Sequence, residues 1–194
     1  MISTLPIFPL PSVILFPGTV LPLHIFEPRY RLMMDYCMEN DDEIGITSIN
    51  EKSEIESIFG WGRIITREAL PDGRSNILVQ GMGIAKLVRF QTHEPFIIAN
   101  VEKRENGYSH LRMTEFIEIL DNIIRLTRKY LDEMKADISF IQDLERIRNH
   151  PFPIEVITSF LSLDHEYKLD ILATEDPFEK AIKLFASVKN LVRE

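Results

Sequence analysis

LPLHIFEPRYRLM, residues 21–33, runs an extended apolar segment into a helix start with almost no linker. Leu21, Leu23 and Ile25 alternate with Pro22 and His24, the period of a half-buried strand. Pro28 then suits the first position of a helix, where a missing N–H costs nothing. The stretch predicts a strand-to-helix junction. Upstream, LPIFPLPSVILFPG at 5–18 is equally apolar. Its Pro6, Pro9, Pro11 and Pro17 forbid a continuous helix and predict several short extended pieces instead.

Downstream of the junction, Tyr30, Met33, Met34 and Cys37 fall at i, i+3, i+4 and i+7, so residues 28–39 read as a short docking helix. From Glu43 to Lys103 the pattern becomes brief β-branched runs. Asp72-Gly73 is a hairpin turn, Gly81-Met82-Gly83 is expected to break two further runs, and FIIANV at 96–101 is apolar on both faces. These features predict a small, closed or half-closed antiparallel barrel.

Past Glu105-Asn106-Gly107, read as a boundary, the period turns helical. Phe116, Ile119, Leu120, Ile123, Thr127, Tyr130, Leu131 and Met134 make one stripe, widened by Ile117 and Ile124. Pro153 and Asp164 mark two further helix starts. Asp176-Pro177-Phe178-Glu179 reads as a capping box ahead of an apolar face of Ala181, Ile182, Phe185 and Val188. The expected organisation is α+β: a β-barrel subdomain at 1–107 and an α-helical bundle at 108–194.

Three blocks carry a family resemblance. Residues 5–33 resemble the opening of the Lon N-terminal domain, the substrate-binding part of ATP-dependent Lon proteases, in the form most similar to its stand-alone members. GWGRIITREALPDGRSNILVQGMGIAKLVRF at 60–90 is similar to the family's central hairpins, and LSLDHEYKLDILATEDPFEKAIKLF at 161–185 to its last two helices. The chain departs from the pattern at Gly83-Ile84-Ala85, where many relatives are more polar or basic. The resemblance implies a PUA-like antiparallel barrel. It also implies a non-catalytic protein-recognition module that binds unfolded or specific client polypeptides, with a protease or chaperone as a further partner.

Composition narrows the alternatives. With 194 residues and 45% hydrophobic content the chain can bury a real core. The net charge is −8, with 10 basic and 14 acidic residues in 1–108 against 12 and 16 in 109–194, so neither half is a basic, nucleic-acid-seeking module. A single cysteine, Cys37, rules out an intrachain disulfide framework and fits a reducing compartment. There is no signal-peptide pattern, and no run approaches the roughly 20 apolar residues of a membrane helix, so a cytoplasmic protein is expected.

The search for catalytic chemistry is negative. No G-x-x-x-x-G-K-[ST] loop is present, and GMGIAK at 81–86 lacks both the second spacing glycine and the Ser/Thr for magnesium. His24, His93, His110, His150 and His165 are dispersed, with no zinc spacing. Cys37 with His24 is conceivable as a nucleophile and base, but the position of Cys37 on the apolar helical face makes it a buried structural thiol. The ENDDE run at 39–43 lacks calcium-loop spacing and reads as a solvated helix end. No catalytic residue, cofactor or metal is expected.

What remains is a recognition surface. Phe16, Phe26, Tyr30, Phe59 and Trp61 lie near the proline-rich entry and the strands, and are the candidate client-binding residues. The competing reading of each is ordinary core. Glu27 and Arg29 flank Pro28 as helix-start charges. Two other functional classes stay open: a PUA-like nucleic-acid-binding protein, by fold analogy alone, and a small enzyme with an unrecognised site.

Overall fold

The computed structural model describes residues 2–49, 54–104, 114–136, 144 and 146–192. The boundary read at Glu105-Asn106-Gly107, and His110, lie outside them. The chain forms two compact units, Met1–Glu105 and Asn106–Glu194.

Among its described residues the first unit is a mixed six-stranded sheet with one helix. Its strands are β1 (Ile2–Pro11), β2 (Val20–Ile25), β3 (Glu43–Ile49), β4 (Ile58–Ala69), β5 (Ser75–Thr92) and β6 (Ile97–Arg104), and helix α1 spans Pro28–Glu39 between β2 and β3. The sheet order is β2-β5-β4-β3-β1-β6, with a further pairing of β5 to β6.

The expected PUA-like antiparallel barrel is not formed. β1 and β3 run parallel, because the chain between them spends its length on β2 and α1, which together act as the long crossover a parallel pair requires. The sheet curls only into a partial ring. β5 pairs with β2 through Ser75–Gln80 and with β6 through Ile84–Thr92, so β2 projects from the ring as an edge strand. Pro22 deletes one donor there, a common way of blunting an edge.

Two local expectations are also corrected. β1 is a continuous strand despite Pro6, Pro9 and Pro11. It changes partner at Ile7, pairing with β6 through Ile2–Ile7 and with β3 through Ile7–Pro11. Each half therefore has one unpaired side on which a missing N–H is tolerated. Likewise β5 runs unbroken through Gly81-Met82-Gly83. These glycines permit close approach instead of a turn: a Cβ at Gly81 would lie 2.1 Å from the Phe16 carbonyl oxygen, and one at Gly83 would lie 2.0 Å from that of Arg104.

Other expectations hold. Asp72-Gly73 forms the β4–β5 turn, with Gly73 at φ +82°. In β2, Ile25 is buried and Leu21 and Leu23 half-buried, while Val20, Pro22 and His24 are exposed. α1 begins at Pro28 and buries Tyr30, Met33, Met34 and Cys37. That face joins Phe8, Ile44, Ile46, Ile77 and Val79 in one apolar cluster, while Leu5, Ile7, Phe59, Trp61 and Val101 form a second.

The second unit is helical: α2 (Thr114–Glu133), α3 (Pro153–Phe160), α4 (His165–Ala173) and α5 (Pro177–Leu191). α2 buries Phe116, Leu120, Ile123, Thr127, Tyr130 and Leu131, most of the expected stripe, whereas Met134 falls past its end and is exposed. Asp164 accepts from the Glu166 N–H at 2.9 Å and Asp176 from the Glu179 N–H at 2.7 Å, each satisfying a backbone donor at its helix start. In α5 the buried face is turned from the one expected: Leu184 is inside and Ile182 exposed. Lys180, also inside, accounts for part of that rotation. Its Nζ donates to Oε1 of the buried Glu155 on α3 at 2.6 Å.

Candidate functional site

The strand-to-helix junction places one aromatic side chain on the surface. Phe26, between the last residue of β2 and the Glu27 that precedes α1, is 57% exposed. Its ring lies 6.2 Å from that of His24 at an interplanar angle of 21°. Beside it opens a cleft of about 470 Å³, walled by Phe8, Leu10 and Pro11 of β1, Leu23 and Ile25 of β2, and Tyr30 of α1. The walls are apolar because the inward positions of β2 meet the proline-rich half of β1, which β6 does not cover beyond Ile7.

The other candidate aromatics are interior. Phe16, Tyr30, Phe59 and Trp61 are all buried, so the five do not assemble into one exposed patch. Tyr30 backs the cleft, its ring 4.3 Å from Phe8, and burial raises its phenol pKa above the ordinary value. Trp61 is 1% exposed and lies under the Lys103 ammonium, 4.2 Å from the ring centroid; Lys103 in turn pairs with Glu43. Phe59 and Trp61 share the second apolar cluster with Leu5 and Ile7. Residue type does not separate Phe26 from the other four, all large aromatics; the usable signal in the sequence is its place at the corner, outside both the strand alternation of Leu21, Leu23 and Ile25 and the helical period that begins at Tyr30.

The rim is charged but balanced. Arg29 Nε donates to Glu27 at 3.0 Å while its guanidinium sits 4.5 Å over the Tyr30 ring. On the outer face of β2 lies a groove of about 460 Å³ that includes Pro22, His24, Glu68, Asn76 and Leu78. Within it the Asn76 amide donates to Glu68 at 3.0 Å, which turns its oxygen toward His24 Nδ1 at 2.7 Å. A carboxylate can only accept, so the amide orientation is fixed and Nδ1 carries the proton.

Cys37 and His24 are not set up as a nucleophile and base. His24 is exposed and bonded to Asn76, while Cys37 is wholly buried and its thiol pKa is pushed up to about 12, chiefly by desolvation. A thiol held neutral is a poor nucleophile. Among the described residues no group of His, Cys, Asp and Glu is placed to hold a metal ion, and no helix is long and apolar enough to cross a membrane.

Among the described residues the site is thus an apolar cleft beside an exposed aromatic ring, with no cluster of metal-binding side chains. Over residues 4–190 the chain matches the model of the ATP-dependent protease La (LON) substrate-binding domain, and it belongs to that family. It is 27% identical over 190 residues to Lon protease of Cytophaga hutchinsonii, covering 92% of this chain and 23% of that protein. It is 23% identical over 199 residues to Lon protease 1 of Bacillus subtilis, covering 96% and 25%. The chain thus spans about a quarter of the length of the curated relatives it matches. Among solved structures, the N-terminal domain of Mycobacterium avium complex Lon protease superposes with a TM-score of 0.75 at 16% identity, covering 99% of each chain. A Lon N-terminal domain protein from Xanthomonas campestris gives 0.69 at 19%, covering 95% of this chain and 98% of that one.

Proposed function

We propose that this domain captures unfolded or loosely folded polypeptide segments at the corner between β2 and α1, with Phe26 as the exposed contact and the cleft behind it receiving apolar side chains. The observation that carries this reading is the pairing of one largely exposed aromatic with an apolar cleft of about 470 Å³. Such hollows with few polar groups favour apolar ligands without dictating their sequence. Specificity is therefore broad, and a flexible client must be ordered on binding, which holds the affinity to the order of micromolar. The clients pass to, or are withheld from, a protease or chaperone, and the setting is cytoplasmic.

The test is a titration with a permanently unfolded protein and, in parallel, with the same protein in its folded form. Wild type binds the first and not the second. Phe26→Ala weakens binding about tenfold, the loss of one aromatic anchor, while its melting temperature stays close to that of wild type because the ring is mostly in water. Equal binding by wild type and Phe26→Ala removes the corner from the site. Binding of neither form of the client removes the recognition reading.

A further inference from the structure

The exposed ring of Phe26 stands on backbone that is tied down from an unexpected direction. Arg31, in the first turn of α1, sends Nε to the Phe26 carbonyl oxygen at 3.0 Å and Nη1 to the Asp72 carbonyl oxygen at 3.1 Å. One planar guanidinium thereby joins the β2–α1 corner to the β4–β5 turn, 41 residues away. Both bonds are charge-assisted, and the rigid fork sets the direction of each. The turn is shaped to admit it. Gly73 has φ +82°, and a Cβ there would come within 2.9 Å of Arg31 Nη1.

A second route links the same two places. Arg74 Nε donates to the Asp72 carboxylate at 2.7 Å, and its Nη1 approaches His24 Nε2 at 3.5 Å. With the proton fixed on Nδ1 by Asn76, Nε2 presents its lone pair to that guanidinium. The His24 ring then stacks on Phe26. The backbone of Phe26 is held by Arg31 and its ring is flanked by His24, and both holds originate at the Leu70-Pro71-Asp72-Gly73 turn and the Arg74 that follows it.

We propose that Arg31 is the positioning residue of the client site, fixing the Phe26 corner over the cleft by bridging it to the β4–β5 turn. This rests on the reading that Phe26 meets the client, and it adds a role for a turn whose own residues do not line the cleft. Arg31 itself acts through main-chain carbonyls and needs no contact with the bound polypeptide.

Two measurements test it. The first is a double-mutant cycle on binding of a permanently unfolded protein. Arg31→Ala weakens binding about fivefold in the wild-type background, as expected for a lost charged tether, and has no further effect in the Phe26→Ala background, since there is no ring left to position. The second is the ¹⁹F resonance of 4-fluorophenylalanine placed at residue 26. It shifts toward the free amino acid in Arg31→Ala, and in Gly73→Ala, where the new methyl group pushes the guanidinium from the turn. Arg31→Lys, which keeps the charge and loses the planar fork, serves as the folded comparator and shows the same shift in smaller degree. An unchanged fluorine resonance in all three variants overturns the proposal. Additive losses in the cycle also overturn it, because Arg31 would then act independently of Phe26. Binding unaffected by Phe26→Ala alone sinks the recognition reading at this corner, and the fluorine measurement still decides whether Arg31 holds it.

Discussion

At the scale of single residues, burial separates side chains that look alike in the chain. Trp61, within β4, and Phe26, just past β2, are both large aromatics of the strand region, yet one supports the sheet interior and the other stands in water. Trp61→Ala is expected to cost about 3–5 kcal/mol of stability, the range for emptying a large core site, and Phe26→Ala less than about 0.5 kcal/mol. Chemical denaturation of the two variants checks this, and a Trp61→Ala protein as stable as wild type would mean the indole is not core. Cys37 makes a second residue-level case. The folded protein keeps the thiol proton up to about pH 12, whereas an unfolded chain releases it near the ordinary value of 9. The contribution is fully present below pH 9 and is lost as pH rises toward 12, because the unfolded state then binds fewer protons. The stability of Cys37→Ala should fall less steeply than that of wild type between pH 9 and 11, and native Cys37 should react slowly with thiol reagents at neutral pH. Rapid stoichiometric labelling without unfolding would place α1 in another orientation.

At the scale of elements, the helical unit holds a charge pair where core is expected. Lys180 of α5 and Glu155 of α3 are both almost wholly buried and 2.6 Å apart. Lys180→Met takes the ammonium from a buried carboxylate and is expected to destabilise by about 3–5 kcal/mol, while Lys180→Met combined with Glu155→Leu recovers most of that loss. Denaturant titration of the single and double variants reads the difference, and equal losses in both would show that packing, not charge, dominates. The start of α3 also responds to acid. The Phe152 N–H donates to His150 Nδ1 at 3.0 Å, and partial burial holds the imidazole below its ordinary range, with the Glu155 carboxylate pulling partly back. A depressed histidine contributes stability above its unfolded pKa and loses it as pH falls through the folded value, so His150→Gln should flatten the stability profile below about pH 6.5. Much at this scale was legible beforehand. The α1 face, the Asp164 and Asp176 caps and the Asp72-Gly73 turn depend on neighbours within a few residues. The continuity of β1 and β5 was not legible, because strand pairing decides whether a proline or glycine interrupts. Ile182 and Leu184 were exchanged for the same reason: the Lys180–Glu155 pair that orients α5 joins positions 25 residues apart.

At the scale of the molecule, the parallel β1–β3 pair turns an expected barrel into a curled mixed sheet with a projecting edge. No run of residues signals that event, since strand direction is set by where the crossover lands. The candidate site was legible only as a neighbourhood: the 21–33 stretch contains Phe26 and Arg31, but the contact of Arg31 with residue 72 requires the folded turn. Net charge also acts at this scale. At −8, with rim cations already engaged by carboxylates or carbonyls, the chain is expected not to bind single-stranded RNA at micromolar concentration in physiological salt. Tight binding that weakens steeply with added salt would contradict this. The central claim is that a flexible client lies against the β2–α1 corner, and amide chemical-shift mapping during titration with a permanently unfolded protein tests it most directly. The account predicts perturbations concentrated at residues 8–11 and 23–31; perturbations confined to the exposed Val88 and Phe90 face of β5, or to the helical unit, would contradict it.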